Sequence, residues 1–140
     1  MNYDYDDYDY DDDNKAKIMI VDDSPVILRN IKKILDAKYT VYLATSGKQA
    51  LSAIPDKKPD LVLLDYKMPE MDGKEVIETM HADENMKNIP VIFLTSTSER
   101  KTILSLLKTQ PAGYILKPPD EEKIHEAVEN ALKNVNKESE

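Results

Sequence analysis

Five short apolar runs alternate with stretches of helical period along this chain, and no other feature limits the fold as strongly. The runs are Lys17–Val21, Thr40–Ala44, residues 60–64, residues 89–94 and Gly113–Leu116. After Ser24-Pro25, apolar residues fall at 27, 28, 31, 34 and 35. That is the spacing of one helix face, and Ser before Pro suits a helix start. Residues 46–54 predict a second helix with Ala50, Leu51 and Ile54 inward, stopped by Pro55. The loop YKMPEMDG leads to a third helix over about 74–81, and residues 99–108 and 120–133 predict two more. The runs at 60–64 and 89–94 are continuously apolar, as in strands buried on both faces. Strict alternation with short connections implies an α/β fold, a parallel sheet covered by helices on both sides. Right-handed crossovers leave few topologies, and the doubly wound five-stranded order 2-1-3-4-5 is the expected one.

Charge separates the chain into parts. It has 140 residues with 27 acidic and 19 basic side chains, a net charge of −8. Residues 1–14 hold seven Asp and no base, so the other 126 carry 20 acids against 19 bases. The predicted domain, 15–135, is nearly neutral, which argues against direct nucleic-acid binding through a broad cationic surface. The Tyr/Asp segment 1–14 is too polar to build a core and is expected to be disordered by itself. A solvating tail is the plainer reading, but Tyr3, Tyr5, Tyr8 and Tyr10 keep open docking on a basic groove. Residues 136–140 read as a polar end. The absence of Cys removes disulfides, thiolate metal sites and a cysteine nucleophile. No run approaches the ~18 apolar residues of a membrane span, and no secretory signal opens the chain. A cytoplasmic location is expected.

Ligands of open α/β sheets bind beyond the carboxyl ends of the strands. Here strand 1 is followed by Asp22-Asp23, strand 3 by Asp65, strand 4 by Thr95-Ser96 and strand 5 by Lys117-Pro118. Singly, each is an ordinary cap or turn residue. Together they bring three carboxylates, a hydroxyl and an ammonium toward one crevice. Clustered carboxylates repel one another unless a cation joins them, and an all-oxygen donor set points to Mg²⁺. A carboxylate beside such a cation is a plausible nucleophile toward phosphoryl groups. His81 and His125 have no partner at metal-ligand spacing, the six Met are filler for core and loops, and Gly73 serves the turn into the third helix.

With these residues in view, the stretch from Lys17 to Lys133 resembles the receiver domain of two-component response regulators. The carriers are Asp22-Asp23, Asp65 within LLDYKMPEMDG, Thr95, and Lys117-Pro118. The resemblance implies a flavodoxin-like fold and a phosphoacceptor switch, not a turnover enzyme. It makes Asp65 the acceptor of a phosphoryl group from a sensor histidine kinase, a phosphotransfer protein or a small donor. Asp23, Asp65 and the backbone carbonyl of Lys67 would hold Mg²⁺, with Asp22 acting mostly through water. Lys117, aimed inward by a cis peptide bond to the following Pro118, would pair with one phosphoryl oxygen and Thr95 would donate to another. Thr95 and Tyr114 would form the switch, exposing a face made by the fourth helix, fifth strand and fifth helix to a downstream protein. A homodimer is left open. Lys67 and Thr97, each two residues beyond a site residue, would set the phosphoryl lifetime. Pro119 departs from the family pattern, and bears on how the last helix starts.

Two other enzymatic readings fail on the sequence. A haloacid-hydrolase-type phosphatase needs a second Asp two residues after the nucleophile, where this chain has Lys67 after Asp65 and Ser24 after Asp22. A dinucleotide-binding enzyme needs a glycine-rich turn after strand 1, and the only glycines are Gly47, Gly73 and Gly113. A receiver fold that docks partners without being phosphorylated stays as the alternative.

Overall fold

The apolar runs form β1 (Lys17–Val21), β2 (Thr40–Ala44), β3 (Leu61–Asp65), β4 (Val91–Thr95) and β5 (Gly113–Leu116). All pair in parallel, in the expected order β2-β1-β3-β4-β5. The computed structural model describes residues 14–139, with side chains to residue 134; the Tyr/Asp segment up to residue 13 lies outside the described residues. Five helices connect the strands: α1 (Pro25–Leu35), α2 (Gly47–Lys57), α3 (Gly73–His81), α4 (Arg100–Leu107) and α5 (Glu121–Ser139).

The two-residue period of the strands divides the core in two. Ile18, Ile20, Leu61, Leu63, Ile92, Leu94 and Ile115 point toward α1 and α5, where Leu28, Ile31, Ile124 and Val128 meet them. Met19, Val21, Val62, Leu64, Val91 and Phe93 point the other way, against Ile54 of α2, Val76, Ile77 and Met80 of α3, and Leu106 of α4. Every residue of β3 and β4 is buried, which is why those runs lack polar alternation.

Helix starts follow side-chain chemistry. Ser24 Oγ accepts from the Ile27 N–H at 3.3 Å with Pro25 in the first turn, and Ser46 Oγ accepts from Gln49 N–H at 3.0 Å. Asp72 and Glu75 form a reciprocal capping box that starts α3, with bonds of 3.0 and 2.9 Å. Asp120 accepts the Glu122 N–H at 2.8 Å, so α5 starts cleanly after Pro118-Pro119.

Two boundaries differ from expectation. Pro55 lies inside α2, which continues to Lys57 before Lys58 adopts a left-handed conformation. In the last turn proline removes a single backbone bond, too little to end a helix anchored by Ile54. The backbone of α5 runs to Ser139, past Lys133, because neither Gly nor Pro follows Leu132 to stop it.

Leu63, wholly buried in the central strand, should lose ~2–5 kcal/mol of stability on replacement by Ala, measured by urea unfolding. Val26→Ala, at a side chain 54% exposed, should change it by less than ~0.5 kcal/mol.

Candidate functional site

Parallel pairing ends β1, β3 and β4 at one edge, and the chemistry-bearing residues gather there. Asp22 leaves β1 with its N–H on the Ala44 carbonyl at 3.1 Å, fixing its direction. Its Oδ1 accepts the Ser24 N–H at 2.9 Å. Asp65 is the last residue of β3 and Thr95 the last of β4; both are buried, as is Asp22. Asp23 is exposed beside them. One oxygen from each of Asp22, Asp23 and Asp65 lies within 4.8 Å of the others.

Lys117 reaches into this group from the end of β5. Its N–H donates to the Thr95 carbonyl at 2.9 Å, and its peptide bond to Pro118 is cis, as expected. Lys117 Nζ lies 3.0 Å from Asp65 Oδ1, to which it donates, and 2.7 Å from Asp22 Oδ2. The contact with Asp22 is an ion pair outside hydrogen-bond alignment, so that buried Oδ2 has no hydrogen-bond partner.

Three ionised carboxylates and one ammonium leave two negative charges. Burial pushes the Asp65 carboxyl up to about 6, with Lys117 opposing the rise and the charges on Asp22 and Asp23 adding to it. Burial pulls Lys117 down, but its attraction to Asp22 and Asp65 outweighs this and holds it above its ordinary value. A divalent cation fits this site: the donors are all oxygen, three carboxylates converge, and the excess charge is two. Among the described residues, no other group of His, Asp or Glu is arranged to hold an ion.

The remaining predicted residues surround the cluster. Lys67 lies in the loop after β3 with its side chain exposed. Thr97 is half-buried, and its N–H donates to Thr95 Oγ1 at 3.2 Å. Tyr114 is 42% exposed on β5, beside Phe93 in register. His81 and His125 stay on separate helices, outside the cluster.

One residue has a larger role than its sequence suggested. The Gly73 N–H donates to the Tyr66 carbonyl at 2.7 Å, closing the loop that contains Lys67. A Cβ on Gly73 would lie 2.5 Å from the Asp65 carbonyl oxygen, 3.0 Å from Tyr66 Cα and 3.1 Å from Phe93 Cε1. Two of these neighbours are backbone and cannot step aside as a side chain can. Gly73 thus lets α3 abut the end of β3 that presents Asp65. Its φ is not positive, so no turn rule marks it; the requirement comes from tertiary proximity alone.

Residues 18–129 match the family model of the response regulator receiver domain, and the chain belongs to that family. Hybrid signal transduction histidine kinase D of Dictyostelium discoideum is 31% identical over 85% of this chain, which spans only 8% of that protein. The chemotaxis protein CheY of Pseudomonas aeruginosa is 32% identical over 86% of this chain and 98% of its own length. A CheY-like receiver structure from Methanospirillum hungatei superimposes with a TM-score of 0.81 at 29% identity, covering 89% of this chain and 98% of that one. The chain is thus a receiver domain of two-component signalling. None of its described helices is long and apolar enough to cross a membrane.

Two measurements test this geometry. Between about pH 4 and 6 the folded chain keeps a proton on Asp65 that the unfolded chain has lost. Its contribution to stability is therefore complete below about pH 4 and disappears as pH rises through about 6. In chelator, the unfolding free energy of Asp65→Asn relative to the parent should rise by ~1–3 kcal/mol from about pH 4 to about pH 8. Gly73→Ala should cost ~1–3 kcal/mol and shift the Asp65 and Tyr66 amide resonances. Gly47→Ala, whose new Cβ would have its three nearest neighbours in the Val76 and Met71 side chains, should leave those resonances in place.

Proposed function

We propose that Asp65 is the phosphoacceptor of this receiver domain, and that the domain is a switch rather than a turnover enzyme. The observation that carries this reading is the buried Asp65 carboxylate, facing Lys117 at 3.0 Å beside Asp22 and Asp23. An Asp65 oxygen attacks the phosphorus of a phosphohistidine or acyl phosphate. The P–N or P–O bond of the donor breaks, its electron pair leaves with the donor, and an acyl phosphate forms on Asp65. Asp23, Asp65 and the Lys67 carbonyl would hold Mg²⁺, with Asp22 one shell out, and the bound cation would supply positive charge to the phosphoryl oxygens. Lys117 exchanges its bond to Asp65 for one to a phosphoryl oxygen, and Thr95 Oγ1 donates to another. A loose phosphoryl transition state spreads charge over its equatorial oxygens, which is what an ammonium and a hydroxyl stabilise.

Phosphorylation places roughly −1.5 to −2 charges at the end of β3. Thr95 follows the new acceptor oxygens, and Tyr114 moves into the space it leaves. The α4–β5–α5 face changes with it and meets a downstream protein. The donor is a sensor histidine kinase or phosphotransfer protein of the cytoplasm, and Lys67 and Thr97 set how long the phosphoryl group lasts.

Incubation with acetyl phosphate and Mg²⁺ should add one phosphoryl mass to the intact chain, with none on Asp65→Asn and none in chelator. Failure with acetyl phosphate and with phosphorylated histidine kinases alike, in a folded protein that binds Mg²⁺, would make the domain a docking module.

A further inference from the structure

The sheet face over β5 is poorly roofed. Leu106 is the only buried residue of α4, which leaves Leu104 47% and Leu107 42% exposed. On the neighbouring strand, Tyr114 and Leu116 share the side of Phe93 and Thr95 in register and are 42% and 45% exposed. β5 is also the outermost strand, so its far edge is unpaired within the described residues. A cleft of about 570 Å³ runs along this edge toward α5, its charged lining balanced between Lys117 and Lys123 and Asp120 and Glu126, so the sign of the surface comes from α4.

Charge gives this surface a sign. α4 has no acidic residue, and Arg100, Lys101 and Lys108 at its two ends are exposed and make no ion pair among the described residues. Two of these cations occupy its first turn, where the helix dipole is already positive. Glu99 offsets this in part, its Oε1 accepting from Thr102 Oγ1 at 2.9 Å, but it makes no cap bond to the backbone. α1 is cationic too, but two of its three cations, Lys32 and Lys33, lie in its last turn, where the dipole favours them, and Lys32 is paired with Asp36.

We propose that residues 1–13 of this same chain dock along β5 and α4. The segment supplies what the surface lacks, acidic side chains for the cations and Tyr rings for the exposed leucines. Tyr3 and Tyr5, and again Tyr8 and Tyr10, are two residues apart, so an extended strand places each pair on one side. Reach is sufficient. The described chain begins at the amino end of β1, three strand spacings (~14 Å) from β5, and thirteen extended residues span up to ~45 Å. Crossing that gap takes roughly four to five residues, which leaves Tyr3, Tyr5 and Tyr8 for a β5 edge that strand addition can extend. The contact is independent of phosphorylation; its consequence, shielding the output face from a target, rests on the function proposed above.

The chain has no cysteine, so Asn2→Cys gives a single spin-label site on the full-length protein. With no phosphodonor present, the label should weaken the amide signals of Leu104, Leu107, Tyr114 and Leu116 several-fold and spare those of Val26 and Arg29. About 1 M salt, where the Debye length is ~3 Å, should restore them. Arg100→Glu with Lys101→Glu should do the same in a chain whose dispersed spectrum shows it folded, as should Asp6→Asn with Asp7→Asn, which leaves the domain untouched. Equal weakening of both faces, or insensitivity to salt and to both double variants, overturns the proposal. Weakening seen only between a spin-labelled chain and a separate isotope-labelled chain overturns it in favour of contact between two copies. Because no phosphorylation is involved, a negative result leaves the role of Asp65 standing.

Discussion

The pairing of Lys117 with both Asp22 and Asp65 is the contact on which the arrangement turns. It joins the ends of three strands that are far apart in sequence, and its distances are 2.7 and 3.0 Å. One ammonium cannot balance three carboxylates, so the site retains an attraction for a second cation. Burial sharpens that imbalance, because Asp65 and Asp22 have little water to share their charge. Breaking such a buried pair by removing one partner is costly, whereas exchanging one partner for another oxygen is not. That difference would suit Lys117 to the proposed exchange of a carboxylate for a phosphoryl oxygen.

The rest of the fold supports this point of convergence. β3 and β4 are buried throughout, and their apolar side chains lock both helical layers onto the sheet. Rigid strands hold Asp65 and Thr95 in register, while the loop after β3 is closed by Gly73 against Asp65 itself. On the other side of β4, packing thins. α4 is held by Leu106 and by a 3.3 Å hydrogen bond from Lys74 Nζ to Ser105 Oγ. Tight packing at Asp65 and Thr95 beside loose packing at the outer helix is the distribution the proposed switch needs, since elements that move are drawn from the less stable parts of a fold.

Much of this was legible before any coordinates. The five runs predicted the strands to within one or two residues, and the residue after each run named Asp22, Asp23, Asp65, Thr95 and Lys117. Boundaries were less legible. Pro55 reads as a helix stop because proline usually is one, but Ile54 of the same turn is buried and packing carries the helix on. The helical period puts the start of α3 near Lys74, whereas the capping box of Asp72 and Glu75 sets it at Gly73.

The sequence alone determined the fold class, the strand order and the residues at the strand ends, because periodicity and turn chemistry are local and are written in neighbouring residues. It did not contain Lys117 lying between two particular carboxylates, the lift of Asp65 to about 6, or the need for a bare α-carbon at Gly73. The first two depend on atoms brought together only when β1, β3 and β5 share one sheet, and the third on α3 packing against β3 and β4. Whether a buried charge finds a partner is settled by that packing, and so is which surface is left uncovered for a partner.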